Sequence, residues 1–197
     1  MDIRLVSNYT KLIFSDYELN EKIFENYLDN NFNHFKYREN KFNQDISKLP
    51  HSLTHLTFRY NFNKNISNLP STITNLTLDK KFDQRCELNS NIKYLKLNCN
   101  NSYIIDNLPN SILELELDNY FNLEMNNLPT SIKKLVIYPN SKYDADLNCL
   151  PDFVEELHLN INYKKRIFCI PKNLQKIICD KYYKYINDFE MCVVQPF

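Results

Sequence analysis

One unit recurs along this chain, and its period constrains the fold more than any other feature. It reads F-N-x-x-I-x-x-L-P-x-S-L-x-x-L-x-L, seen at 42–58 and again at 62–78. The leucine before proline serves as an anchor: Leu49, Leu69, Leu88, Leu108, Leu128, Leu150 and Ile170, spaced by 20, 19, 20, 20, 22 and 20 residues. Proline follows every anchor except Leu88, where Asn89 stands. Four residues past each anchor comes an apolar triplet: Leu53/Leu56/Phe58, Ile73/Leu76/Leu78, Ile92/Leu95/Leu97, Ile112/Leu115/Leu117, Ile132/Leu135/Ile137, Val154/Leu157/Leu159 and Leu174/Ile177/Cys179. Chance in a biased composition accounts for one such segment. It does not account for seven in near-fixed register with proline and Phe/Tyr locked to them.

The end of each triplet alternates apolar and mostly polar residues, the period-2 signature of a strand with one buried face. A single short strand cannot bury that face alone, so successive turns must stack into a parallel sheet. The remaining 14 or so residues of each turn carry Pro and many Asn, which disfavours a regular helix there. The expected fold is therefore a leucine-rich-repeat-like solenoid. It has a parallel β-sheet on one face, an irregular, extended or 3-10 opposite side, and few or no regular helices. From that side Phe62, Phe82, Phe121, Tyr143 and Tyr163 should point inward, as should Ile66, Cys86, Met125, Leu147 and Ile167.

The template continues weakly toward the N-terminus, where Leu28 anchors Phe32/Phe35/Tyr37 and Leu5 anchors Tyr9/Leu12/Phe14. The count is seven clear turns and two degenerate ones, with Met191 to Val194 as one more closing strand. The whole chain reads as a single repeat domain: degenerate repeats or a cap at 1–41, seven repeats over 42–180 and a C-terminal cap over 181–197.

Charge and composition narrow the function. Lys plus Arg equals 24 and Asp plus Glu equals 24. That balance argues against nucleic-acid binding, whose phosphate contacts need a basic surplus, and against a polybasic membrane-surface role. No run of 18 apolar residues and no signal-like start is present, so neither a transmembrane helix nor a secretory leader is expected. The chain contains no Gly, which excludes glycine-built dinucleotide and phosphate loops and leaves tight turns to Asn and Asp. The six cysteines form no C-x-x-C pair, which fits a reduced, intracellular setting, cytoplasmic by expectation, with cysteine acting as a small hydrophobe.

The motif resembles the FNIP repeat, a leucine-rich-repeat relative found in proteins of slime moulds and of giant viruses that infect amoebae. The resemblance rests on 42–58 and 62–78 and recurs with losses at 121–137, 143–159 and 163–179. Family repeats commonly carry Gly just after the last apolar residue; here that slot holds Arg59, Asp79, Asn98, Asp118 and Tyr138. Some relatives carry an N-terminal F-box, which would imply a ubiquitin-ligase adaptor, but residues 1–40 fit the repeat template better.

Chemistry-bearing constellations are poor. Histidines stand at 34, 51, 55 and 158, without a metalloprotease or nucleophile-elbow motif. His34 and His55 occupy one slot in consecutive turns, which invites a metal pair, yet two ligands are too few for a closed zinc site. Cys149 and Cys169 also share a slot, where stacked thiols could pair on oxidation; buried free thiols are the expected state. Glu114, Glu116 and Asp118 put three carboxylates on one strand face, read as a solvated acidic stripe, since glycosidase chemistry would also need a cleft and a raised pKa. No catalytic residue, metal ligand or cofactor is expected.

The residues flanking the second and third leucines should face solvent. The candidates for partner binding are His34, Lys36, Arg38, His55, Arg59, Tyr94, Lys96, Glu114, Glu116, Asp118, Lys134, Val136, Tyr138, Glu156 and His158. They make a face basic at its N-terminal end and acidic in the middle, with Tyr94, Val136 and Tyr138 as contact residues of the kind found at interfaces. The expected function is a non-catalytic module that binds a protein partner through this face. The alternative is a structural protein that self-associates through its solenoid ends.

Overall fold

The computed structural model describes residues 10–14, 43, 46 and 49–196. Its body is one nine-stranded parallel sheet. The strands are β1 (Lys11–Phe14), β2 (His55–Phe58), β3 (Asn75–Leu78), β4 (Tyr94–Leu97), β5 (Glu114–Leu117), β6 (Lys134–Ile137), β7 (Glu156–His158), β8 (Lys176–Cys179) and β9 (Val193–Pro196). They lie side by side in chain order. Each turn of chain thus adds one strand and returns to add the next.

Register follows the repeat residue for residue: Leu56 pairs with Leu76, Leu76 with Leu95, Leu95 with Leu115, and so on to Ile177. This stacking buries each leucine against its equivalents above and below. Leu76, Leu95, Leu115, Leu135, Leu157 and Ile177 are all inaccessible to solvent, each contributing about 1.5–3 kcal/mol of apolar burial.

The path between strands is a series of tight corners. The first runs from the residue after the last leucine to the aromatic, as in Phe82 N–H to Asp79 C=O at 2.9 Å. A second closes Leu69 N–H onto Ile66 C=O at 3.2 Å. A third closes Ile73 N–H onto Pro70 C=O at 3.0 Å, and the same bond recurs from Leu53 to Leu174. The spacing of the motif is the spacing of these corners. Where Asn89 replaces proline, the backbone corner is kept and the side chain reinforces it: its Oδ1 accepts Asn91 N–H at 2.9 Å and its Nδ2 donates to Pro70 C=O at 3.4 Å. Asp79, Asp118 and Asp180 act similarly where relatives carry Gly: each carboxylate accepts a backbone N–H one or two residues on, at 2.7 Å.

Behind the sheet the aromatics stack. Phe58, Phe62 and Phe82 lie near-parallel, with centroids 3.7 and 6.2 Å apart, and Phe121 stacks on Tyr143 at 6.0 Å. All five expected inward aromatics and all five inward partners are buried. Asn101 stands in the aromatic slot of one turn and is buried too. Its Oδ1 caps the single α-helix of the described residues, α1 (Ser102–Asp106), by accepting Ile104 N–H at 3.0 Å. Its Nδ2 donates to Gln84 C=O at 3.0 Å. Ile104 and Ile105 of α1 fill the space that the aromatic leaves. Next to the ring column runs a column of amides. Asn63 N–H donates to Asn43 Oδ1 at 2.9 Å, Asp83 N–H to Asn63 Oδ1 at 3.1 Å, and Asn122 N–H to Asn100 Oδ1 at 2.7 Å. This is why Asn follows Phe in the motif.

At the C-terminal end Tyr183 and Phe189 close the core, the latter on a 3-10 turn, Ile186–Phe189. β9 then pairs with β8, as the closing strand was expected to. Val193 N–H donates to Gln175 C=O at 2.7 Å. By the alternation of a strand, Pro196 therefore lies with its nitrogen on the side away from β8.

The order of the N-terminal turns differs from the order in the chain. β1 pairs directly with β2, Leu12 against Leu56 and Phe14 against Phe58. The Leu5 turn thus holds the position beside β2 that the repeat count reserved for the Leu28 turn. A linear template cannot tell which of two weak repeats abuts the third. The Leu28 turn, with Phe32, Phe35 and Tyr37, lies outside the described residues.

Candidate interaction face

The leucine side of each strand faces the core, so the intervening residues line the opposite side of the sheet in two rows. Cα register sets His55, Asn75, Tyr94, Glu114, Lys134, Glu156 and Lys176 in one row. Thr57, Thr77, Lys96, Glu116, Val136, His158 and Ile178 form the other. Neighbours along a row are about 4.8 Å apart, close enough for long side chains to pair.

From β4 to β8 they do pair. Lys134 Nζ lies 3.0 Å from Glu114, and Lys176 Nζ lies 3.5 Å from Glu156, which also receives His158. Lys96 reaches across two strands: its Nζ is 2.9 Å from Asp118, donates to the Tyr138 hydroxyl at 2.8 Å and sits over the Tyr138 ring. Tyr138 in turn donates to Glu116 at 3.3 Å. The electrostatics follow from this network. Burial pulls the Lys96 ammonium downward, but its bonds to Tyr138 and Asp118 outweigh that and leave its pKa raised. Burial, then its hydrogen bond to Glu116, pushes the Tyr94 phenol upward. The His158 hydrogen bond, aided by Lys134 and Lys176 against burial, holds Glu156 below the usual carboxylate range.

Three expectations change here. Glu114, Glu116 and Asp118 do not form a free acidic stripe, because each carboxylate is engaged by a Lys or Tyr from a neighbouring strand. Val136 is buried rather than offered as a contact, being flanked along its row by the longer Glu116 and His158. His55 has Lys11 as its described neighbour on that side, where the shared slot placed a histidine; His34 lies outside the described residues. So do Lys36 and Arg38, which with His34 are the basis of the basic end. Among the described residues no group of three or more His, Cys, Asp or Glu is placed to hold a metal ion. No helix there is long and apolar enough to cross a membrane.

The face changes character at β2 and β3. There His55 and Arg59 are exposed beside Thr57, Asn75 and Thr77. On the adjoining edge, at the C-terminal ends of the strands, Lys80 lies between two exposed tyrosines, 3.8 Å above the Tyr120 ring and 5.6 Å from Tyr60. Lys81 also approaches Tyr60, at 4.9 Å. Tyr60 and Tyr120 were not among the sequence candidates. They fall two and three residues past the last leucine, outside the strand template, and only their shared neighbour Lys80 unites them.

A parallel sheet built one strand per turn, with its leucines stacked and no regular helix in most returns, makes this chain a leucine-rich-repeat-like solenoid. Residues 42–81 match the family model described as FNIP Repeat. Among solved structures the chain is similar to CroV588, a protein of the giant virus CroV described as a novel circular LRR protein structure. The two share 30% identity at a TM-score of 0.57 over 70% of this chain. The match spans 22% of that longer chain. No curated protein matches the chain in sequence.

Proposed function

We propose that this chain is a non-catalytic protein-interaction module whose partner docks on the β2–β3 end of the strand face and the adjoining edge. The observation that carries this reading is the division of the face. From β4 to β8 the polar groups satisfy one another, and a partner there would have to displace half-buried ion pairs, which costs desolvation without new charge to gain. At β2–β3 the exposed Arg59 and His55 stand beside Tyr60, Lys80, Lys81 and Tyr120. Arg and Tyr are the residue types that dominate interface energetics. The partner surface that fits this cluster carries carboxylates. FNIP-type and leucine-rich-repeat-like solenoids generally act as scaffolds, which supports this reading.

The test is affinity capture from the native cell. A His55→Glu/Arg59→Glu double variant loses the partner, and a Lys164→Glu/Lys165→Glu variant, altered at exposed positions far along the loop side, retains it. Equal recovery by both variants overturns the site. A second reading, self-association through the solenoid ends, rests on the exposure of Met191 and Val193 on the terminal turn. Light scattering over a concentration series separates the two: a mass independent of concentration leaves the first alone.

A further inference from the structure

Two of the six cysteines have an environment unlike the rest. Cys86, Cys99 and Cys179 are buried in the core, and Cys192 is half-buried with its thiol donating to Leu174 C=O at 3.3 Å. Cys149 and Cys169 are exposed, where buried thiols were expected. They sit one residue before the anchors Leu150 and Ile170, with no insertion between these two turns. They are therefore equivalent positions of adjacent coils.

The structure ties those coils together around the pair. Asn148 Oδ1 accepts the N–H groups of both Phe168, at 2.5 Å, and Cys169, at 3.3 Å, so the chain beside one cysteine is bonded to the chain at the other. On one flank Tyr163 donates to Ala145 C=O at 3.2 Å. On the other, Asn173 N–H donates to Asp152 C=O at 3.0 Å and Lys172 pairs with Asp152 at 2.5 Å. Stacked coils held this way stand about 5 Å apart, inside the roughly 4.4–6.8 Å Cα separation that a disulfide spans.

We propose that Cys149 and Cys169 form a thiol–disulfide site that staples two adjacent coils when the chain meets a small-molecule disulfide such as oxidised glutathione. The thiolate of one cysteine attacks a glutathione sulfur, breaking the glutathione S–S bond, forming a mixed disulfide and releasing one glutathione thiolate. The thiolate of the other cysteine then attacks the protein-bound sulfur and expels the second glutathione thiolate. Two protein thiols are oxidised, one glutathione disulfide is reduced to two thiols, and the two protons pass to the released thiolates. Exposure admits the reagent, and the coil spacing brings the resolving thiol within reach.

Incubating the folded full chain with glutathione disulfide and mapping its peptides by mass tests the site. Wild type acquires a Cys149–Cys169 cross-link, loses the mass of two hydrogens and keeps no glutathione at either position. Cys149→Ser and Cys169→Ser each retain one glutathione on the remaining thiol, because no partner resolves the adduct. Oxidation raises the thermal midpoint of the wild type by several degrees, dithiothreitol reverses it, and neither single variant moves. Glutathione on both cysteines of the wild type overturns the proposal, since it shows two accessible thiols that cannot meet. A cross-link between two chains, or two unmodified thiols, overturns it equally.

Discussion

At the scale of single residues, three buried side-chain oxygens have no hydrogen-bond partner among the described residues: Thr72 Oγ1, the Tyr143 hydroxyl and Asn160 Oδ1. The Tyr143 ring stacks on Phe121, yet its hydroxyl has no hydrogen-bond partner among the described residues. A buried hydroxyl left so costs about 1–3 kcal/mol. Tyr143→Phe keeps the ring and removes the oxygen, so it should raise the unfolding free energy by about 1 kcal/mol in urea denaturation; an unchanged or lower value contradicts this. Glu156 makes the opposite case. Its folded pKa lies below its ordinary 4.5, chiefly through His158. Its contribution to stability is thus complete above about pH 4.5 and is lost as pH falls through the lower folded value. Thermal melts from about pH 5 to about pH 3 should show a steeper loss for wild type than for Glu156→Gln.

At the scale of the turn, the repeat template and the structure agree where a residue's role depends on its own coil. The inward leucines, the aromatic four residues on and the proline corner are all legible, because burial repeats at the period of the chain. Roles that depend on which coil lies alongside are not. Lys96 meets Tyr138 across two strands, and nothing in a single repeat announces that bond. The Leu5 and Leu28 turns were equally weak matches, so β1's place beside β2 could not be read from spacing. α1 lies between these cases. The aromatic slot of its turn holds Asn101, and the helix that forms there depends on a cap and on Ile104 and Ile105. Asn101→Ala removes both the cap and the bond to Gln84, and should cost about 1–2 kcal/mol, seen as a lower urea midpoint. A midpoint equal to wild type would mean the cap does not hold α1.

At the scale of the molecule, nearly all backbone and core contacts of a coil are with its neighbours, and long side chains such as Lys96 are what reach further, so stability is close to a sum of coils and the interfaces between them. Residues 62–81 span one full period, from Phe62 to the residue before Phe82. Their deletion sets Phe82 where Phe62 was and restores the register of β2 against β4. The shortened chain should fold, keep its circular-dichroism signature and unfold at a lower midpoint. An unfolded product would show that the N-terminal coils are not interchangeable.

Pro196 bears on a different hazard. A sheet grown one parallel strand at a time ends in an edge that can template another, which is the first step of fibre growth. On β9 the position of Pro196 that faces outward has no N–H to give, so an incoming strand finds the hydrogen-bond ladder broken at that point. Restoring that donor with Pro196→Val should therefore make the chain more prone to polymerise, seen as faster growth of fibre-specific dye fluorescence than in wild type; equal growth contradicts it.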